Sequence, residues 1–138
     1  MGALRRLLEE LLDVLGRLSE EAASGVPVLV EGRCDVKALR ELGVEGLLVA
    51  VRASRRPVAD LALELASLTD EVIILADFDP AGREQAREWA RELERLGLKA
   101  NLSFWRYLMG LVGSLAKDIE GLPSLVETLM RKTGHKLR

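Results

Sequence analysis

Two apolar runs, each closing on acidic residues, constrain this chain more than any other feature. The first is Val28-Leu29-Val30, followed by Glu31-Gly32-Arg33-Cys34-Asp35. The second is Val72-Ile73-Ile74-Leu75-Ala76, followed by Asp77-Phe78-Asp79-Pro80-Ala81-Gly82. Such short, uniformly apolar runs read as interior strands of a parallel sheet, covered by helices on both faces. Sheets of that kind bind ligands in the crevice at the carboxyl ends of their strands. Glu31, Asp77 and Asp79 are therefore expected to converge. Three carboxylates in one crevice repel one another and demand a cation.

The rest of the chain supports the same architecture. Residues 2 to about 23 predict one long amphipathic helix, with Leu4, Leu8, Leu11, Leu15, Leu18 and Ala22 spaced alternately four and three apart. That stripe packs either on the body of the protein or, as a short helix–helix seam, on a second copy of the chain. Ser24-Gly25 ends the helix. Strands are then expected at 28–31, 47–51, 72–76 and 99–104, with helices at 35–42 (closed by Gly43), 57–68 and 80–96. The last of these carries Asp79 at its N-cap, Pro80 at its first position and Gly97 just past its end. From Trp105 onward the pattern breaks into short helical pieces, with a last helix near 123–132. Strands alternating with helices imply an α/β fold. It has a central parallel sheet of about four strands, helices on both faces and a long N-terminal helix. The expected organisation is residues 1–25 as that helix, 26–122 as the core and 123–138 as a C-terminal helix and basic tail, all within one domain.

Composition narrows the function classes. With 138 residues the chain can bury roughly two-thirds of its unfolded surface. At 49% apolar and 30% charged it reads as a globular composition rather than a disordered one. Aromatic residues are scarce, so Leu, Val, Ala and Ile must build the core, with Trp89, Phe104 and Trp105 as packing residues. A net charge of −2 excludes a global basic field, so nucleic acid has to be met by local patches or through a metal. Cys34 is the single cysteine, which excludes an internal disulfide and fits a reducing cytoplasm. Cys34 and His135 alone do not make a zinc site of the usual kind. No apolar run reaches the ~20 residues of a membrane span, so no membrane association is expected. Asn and Gln occur once each amid abundant Glu, Arg and Leu, a bias common in heat-adapted proteins.

Capping accounts for part of the acidic pattern. Asp79 before Pro80 is an ordinary helix start, and so is Asp35 before Val36. Neither Asp77 nor Glu31 is placed to cap, which leaves a solvated strand end or a ligand role. Asp77 and Asp79 stand two residues apart, and in an extended segment such residues point the same way, so both carboxylates can reach one ion. Magnesium takes one or two carboxylates, keeps several waters and completes its shell with substrate phosphate. The positive end of the helix beginning at Pro80, with Gly82 permitting close backbone approach, suits phosphate chemistry.

Glu31-Gly32-x-x-Asp35 followed by Asp77-x-Asp79-Pro80-x-Gly82 resembles the Toprim domain. That domain is shared by topoisomerases, bacterial-type primases, old-family nucleases, recombination mediators and the nucleases that mature small ribosomal RNA. The resemblance covers about residues 26–104, extending at most to 122. It implies a compact Rossmann-like Toprim fold and magnesium-dependent phosphodiester chemistry, with manganese as a substitute ion. By position it implies Glu31 as the general acid or base at the sugar oxygen, with Asp77 and Asp79 as metal ligands. It makes Asp35 a supporting acid or a cap, and Gly32 the residue that permits a sharp turn. Where some members carry a third acid, this chain has Ala81, which brings it nearer to primase-like and small standalone members. Glu31, beside two other carboxylates, is expected to have a raised pKa.

Other residues admit two readings each. Arg52, Arg55 and Arg56 follow the second strand as phosphate contacts or as a solvated loop. Arg83 reaches phosphate or forms a surface ion pair. Lys117 and Glu120 belong to a segment that can return to the site. Arg131, Lys132, His135, Lys136 and Arg138 form a solubilising tail or a nucleic-acid arm. The leading expectation is a nuclease or RNA-processing activity on RNA or DNA, because the chain has no room for topoisomerase gates or added primase domains. The alternative is a non-catalytic Toprim module that binds nucleic acid or a partner within a larger complex. Phosphotransfer folds fit less well: haloacid-dehalogenase phosphatases carry Asp-x-Asp on the first strand, followed by Thr or Val where Ala81 stands here. Receiver domains need a Thr or Ser and a Lys on later strands.

Overall fold

A computed structural model describes residues 2–134. His135, Lys136 and Arg138 of the basic tail lie outside the described residues, while Arg131 and Lys132 sit in the last turn of the final helix. In chain order the elements are α1 (Gly2–Ala23), β1 (Val28–Val30), α2 (Arg33–Glu41), β2 (Leu48–Ala50) and the short α3 (Val51–Ser54). There follow α4 (Val58–Ala66), β3 (Glu71–Leu75), α5 (Pro80–Arg95), β4 (Lys99–Asn101), α6 (Ser103–Val112), a 3-10 turn (Ile119–Gly121) and α7 (Leu122–Thr133).

The four strands form one all-parallel sheet in the order β2-β1-β3-β4. Val28, Leu29 and Val30 of β1 and Val72 through Leu75 of β3 are fully buried, which is why their sequences are continuously apolar. The edge strand β2 is only half-buried. Right-handed crossovers fix the layers. The chain steps from β1 outward to β2, then back across β1 to β3, so α2 and α4 must cover opposite faces. Accordingly α4 packs on α5, and α5 packs on β3 and β4, while α1, α2, α6 and α7 pack among themselves on the other side. The expected α/β sandwich of about four parallel strands is what forms.

The apolar stripe of α1 settles its own partner. Leu8, Leu11, Leu15, Leu18 and Ala22 are buried against α6 and α7 of the same chain. The reading of this stripe as a seam to a second copy is therefore corrected, since its apolar surface is already covered.

Several boundaries differ from expectation for local reasons. The strand expected at 99–104 ends at Asn101, whose Oδ1 accepts from the Ser103 N–H at 2.9 Å and from the Ser103 hydroxyl at 2.6 Å. That side-chain capture turns the chain and starts α6, placing Phe104 in a helix. Val51 leaves the edge strand for α3, where its carbonyl accepts the Ser54 hydroxyl at 2.6 Å. Helix α2 begins at Arg33, two residues earlier than expected. Gly43 and Gly97, at φ of 91° and 82°, follow α2 and α5 as expected.

Leu11 is wholly buried on α1. Leu11→Ala is expected to destabilise the chain by about 2–5 kcal/mol in urea unfolding, as a core truncation does. A loss below about 1 kcal/mol would mean that α1 is a peripheral attachment.

Candidate metal centre

The parallel register pairs Val30 with Ala50 on one side and with Leu75 on the other. Glu31 thus emerges between the ends of β2 and β3. After β1 the chain turns toward β2, whereas after β3 it turns toward β4. The connections diverge between β1 and β3, and a crevice opens at that topological switch point. Among the described residues, Glu31, Asp35 and Asp77 each present a carboxylate oxygen there, all within 4.8 Å of one another. The crevice encloses about 540 Å³ and is also lined by Gly32, Arg52, Arg55, Asp118 and Glu120.

Each acid is held by a distinct local device. Asp35 is buried, and its Oδ2 accepts the Gly32 N–H at 2.9 Å. It therefore sits at the third position of α2 and reaches back, while Gly32 occupies the N-cap. Asp35 thus caps α2 from its third position rather than from the N-cap position expected. Gly32 itself has extended backbone, φ −139° and ψ 177°, so the turn there does not require glycine. That too differs from expectation. A methyl at this position would instead touch the Arg52 guanidinium at 3.4 Å. The Arg52 N–H donates to the Glu31 carbonyl at 2.9 Å, and its Nη2 lies 2.6 Å from Glu31 Oε1.

Asp77 ends the buried run and is anchored through its backbone. Its carbonyl accepts the Trp105 indole N–H at 3.3 Å. The start of α5 lies so close that a Cβ on Gly82 would be driven into this same carbonyl. Gly82 therefore serves helix-to-strand packing. Asp79 is exposed and caps α5, its Oδ1 accepting the Gly82 N–H at 2.7 Å. It does not belong to the convergent trio, because the chain has left the strand after Leu75 and the two-residue alternation no longer applies.

Charge congestion falls on Asp77. Burial, then Glu31, Asp35, Asp118 and Asp79 in turn, push its carboxyl from an ordinary 3.8 up to about 7. Burial also raises Asp35, opposed by the Gly32 N–H and reinforced by Glu31, Asp118 and Glu120. The hard, oxygen-only donor set and its mutual repulsion fit a divalent cation.

The other expected residues divide. Arg52 and Arg55 line the crevice, Arg55 in the left-handed region at φ 58°. Arg56 does not; it turns to α4, bonding Glu64 and the Asp60 carbonyl at 3.3 Å each. Arg83 lines a different groove, between α5 and α6. Lys117 contributes its carbonyl, which accepts the Phe78 N–H at 2.8 Å and draws the following segment to the site. That bond brings in Glu120 and also Asp118, which was not among the expected site residues. The available signal was a shared Asp-x-x-Gly spacing: Asp118 bonds the Gly121 N–H at 2.9 Å as Asp79 bonds that of Gly82.

The sequence pattern of the Toprim domain matches residues 25–102, more than half of the chain. The chain belongs to the Toprim family. A UPF0292 protein of Methanosarcina barkeri is 33% identical over 131 residues, 95% of this chain and 90% of the relative. One of Methanocaldococcus jannaschii is 37% identical over 119 residues, 86% and 91% of the two chains. A solved protein from Aquifex aeolicus shares the fold, with a TM-score of 0.67, 24% identity and coverage of 78% of this chain and 94% of that one. In this Toprim protein the acidic trio comes from both motifs of the pattern, Glu31 and Asp35 from the first and Asp77 from the second. No helix among the described residues is long and apolar enough to cross a membrane.

Two outcomes follow. Gly82→Ala is expected to lower stability by about 2 kcal/mol or more, because backbone rather than a flexible side chain must give way; urea unfolding measures it. The pKa of Asp77 is raised on folding, so its proton favours the folded state. That contribution is full below about pH 4 and lost as pH rises through about 7. Thermal midpoints of the metal-free protein should fall across this window, and Asp77→Asn should flatten the fall.

Proposed function

We propose that this Toprim protein carries out magnesium-dependent phosphodiester chemistry on nucleic acid, as a nuclease or RNA-processing enzyme. The carrying observation is the convergence of Glu31, Asp35 and Asp77 at the switch point, with Arg52 and Arg55 on the rim. Asp77 and Asp35 are the residues to hold the ion, and Asp79, bonded to Gly82 through Oδ1, leaves Oδ2 for it. A divalent cation held there supplies positive charge against the phosphoryl oxygens and lowers the pKa of bound water.

The protein's own groups do the remainder. Glu31 transfers the proton at the sugar oxygen. In the resting site it is paired with Arg52, whose side chain is 70% exposed. The exposed guanidinium is free to turn to an incoming phosphate in a bidentate grip and release Glu31. Arg55 stands beside it for a neighbouring phosphate. Asp118 and Glu120 keep the crevice negative, which favours the cation over a bare anion.

A second reading, a non-catalytic nucleic-acid-binding module, draws on Asp79 serving as a helix cap and on Ala81 standing where a third acid would add a ligand. One experiment separates the two. Structured RNA, single-stranded DNA and duplex DNA are incubated with magnesium or manganese and wild type, Glu31→Gln or Asp77→Asn. The enzyme reading expects metal-dependent cutting that falls about 10²–10⁴-fold in Glu31→Gln, with metal affinity kept by calorimetry, and fails in Asp77→Asn. Wild-type rates in Glu31→Gln would sink the acid–base role. Metal-dependent binding with no cutting by wild type would favour the module.

A further inference from the structure

We infer that the groove between α5 and α6 is a second nucleic-acid contact, holding a single strand that runs away from the acidic crevice. This rests on the nucleic-acid reading above and adds the path of the strand. The groove encloses about 380 Å³. Arg83, Arg87 and Arg106 form its rim, and Ala86, Trp105 and Met109 form an apolar floor; none of its lining residues is acidic. In a chain of net charge −2, three arginines around one groove are a local cationic site. Trp105 and Ala86 are themselves buried, so the floor offers bases apolar contact rather than a free ring face, and the arginine rim matches the phosphates of a strand laid over it.

The sequence of α5 shows why the charge collects there. Arg83, Arg87 and Arg91 recur every four residues, and Glu84, Glu88 and Glu92 recur one position later. Residues four apart share a helix stripe, and the next position lies about 100° around. Arg83 and Arg87 of this stripe thus line the groove against α6, Arg87 in an exposed pair with Glu84 at 3.3 Å, while Glu88 and Glu92 line the opposite groove against α4. The α6 flank of α5 is therefore the cationic one, while on the α4 flank Glu88 and Glu92 stand beside Arg56.

The floor is joined to the acidic centre. The Trp105 indole N–H donates to the Asp77 carbonyl at 3.3 Å, so the groove begins where the second acidic motif is anchored. Trp105, Arg106 and Met109 lie beyond residues 25–102, so one wall of this groove is built by chain outside the matched Toprim pattern.

The test is binding of fluorescent 20-nucleotide oligo-dT and oligo-U, with a duplex of equal length beside them, in the Glu31→Gln background with magnesium. Arg83→Ala/Arg106→Ala is expected to weaken single-strand binding about 10- to 100-fold at low salt. It should also make the log–log salt dependence shallower by about 1.4, two contacts at about 0.7 each. The charge-matched control Arg6→Ala/Lys99→Ala, at residues that do not line the groove, is expected to change neither. Equal affinity and slope in the groove variant and its parent would overturn the groove alone, leaving the nucleic-acid reading standing. An equal loss in the control, or tighter binding of the duplex than of both single strands, would also overturn it. A parent that binds no strand would overturn groove and reading together.

Discussion

Parallel pairing of β1 with β3, in the register that sets Val30 beside Leu75, is the interaction on which the rest of this protein depends. Val28–Val30 and Val72–Leu75 are fully buried, and burial of each Val, Leu or Ile contributes about 1.5–3 kcal/mol relative to exposure. That stability is what permits three carboxylates to be held together at the strand ends. A shift of this register by one residue would turn every side chain of a strand to the opposite face. It would also separate Glu31 from Asp77. The hydrophobic core therefore acts on the chemistry directly, as the element that holds mutually repelling charges at a fixed spacing.

The consequences of that repulsion are distributed unevenly. Asp77 emerges from the interior of the sheet and is surrounded by four other acids, so it carries the largest perturbation. Asp35 is buried more deeply but has the Gly32 N–H as a partner. Glu31 faces the rim and pairs with Arg52. Three acids of one cluster thus meet three different compensations: a proton, a backbone donor and an arginine. A cation can replace the first, and an incoming phosphate can exchange with the third. The second is structural and ties the cluster to the first turn of α2.

Much of this was legible in the sequence, and the limits have physical causes. Uninterrupted apolar runs marked β1 and β3 because burial on both faces admits nothing else. Asp79, Pro80 and Gly97 bounded α5 because its caps obey local rules. What local rules did not reach was the direction of side chains after a strand stops. Alternation along a strand suggested that Asp77 and Asp79 point together, but Leu75 is the last strand residue, and Asp79 instead bonds forward to Gly82. Arg56 and Arg83 were grouped with the site because they follow it in sequence, whereas Glu64 draws one to α4 and the turn of α5 carries the other toward α6. Asp118 stayed hidden for the opposite reason. It is some forty residues from Asp77 in sequence, and a single bond from the Phe78 N–H to the Lys117 carbonyl returns its segment to the crevice.

Net charge and charge arrangement carry different information in this chain. A value of −2 argues against indiscriminate attraction to nucleic acid, yet it is the sum of regions of opposite sign. The crevice is acidic, the rim at Arg52 and Arg55 is basic, and the first turns of α5 turn Arg83 and Arg87 toward α6 while Glu88 and Glu92 face α4. Screening confines each region to roughly 8–10 Å at ordinary salt, so a polyanion senses the local sign rather than the total. Such an arrangement binds weakly from most directions and favourably from few. Orientation is then imposed by the placement of charge on the surface itself.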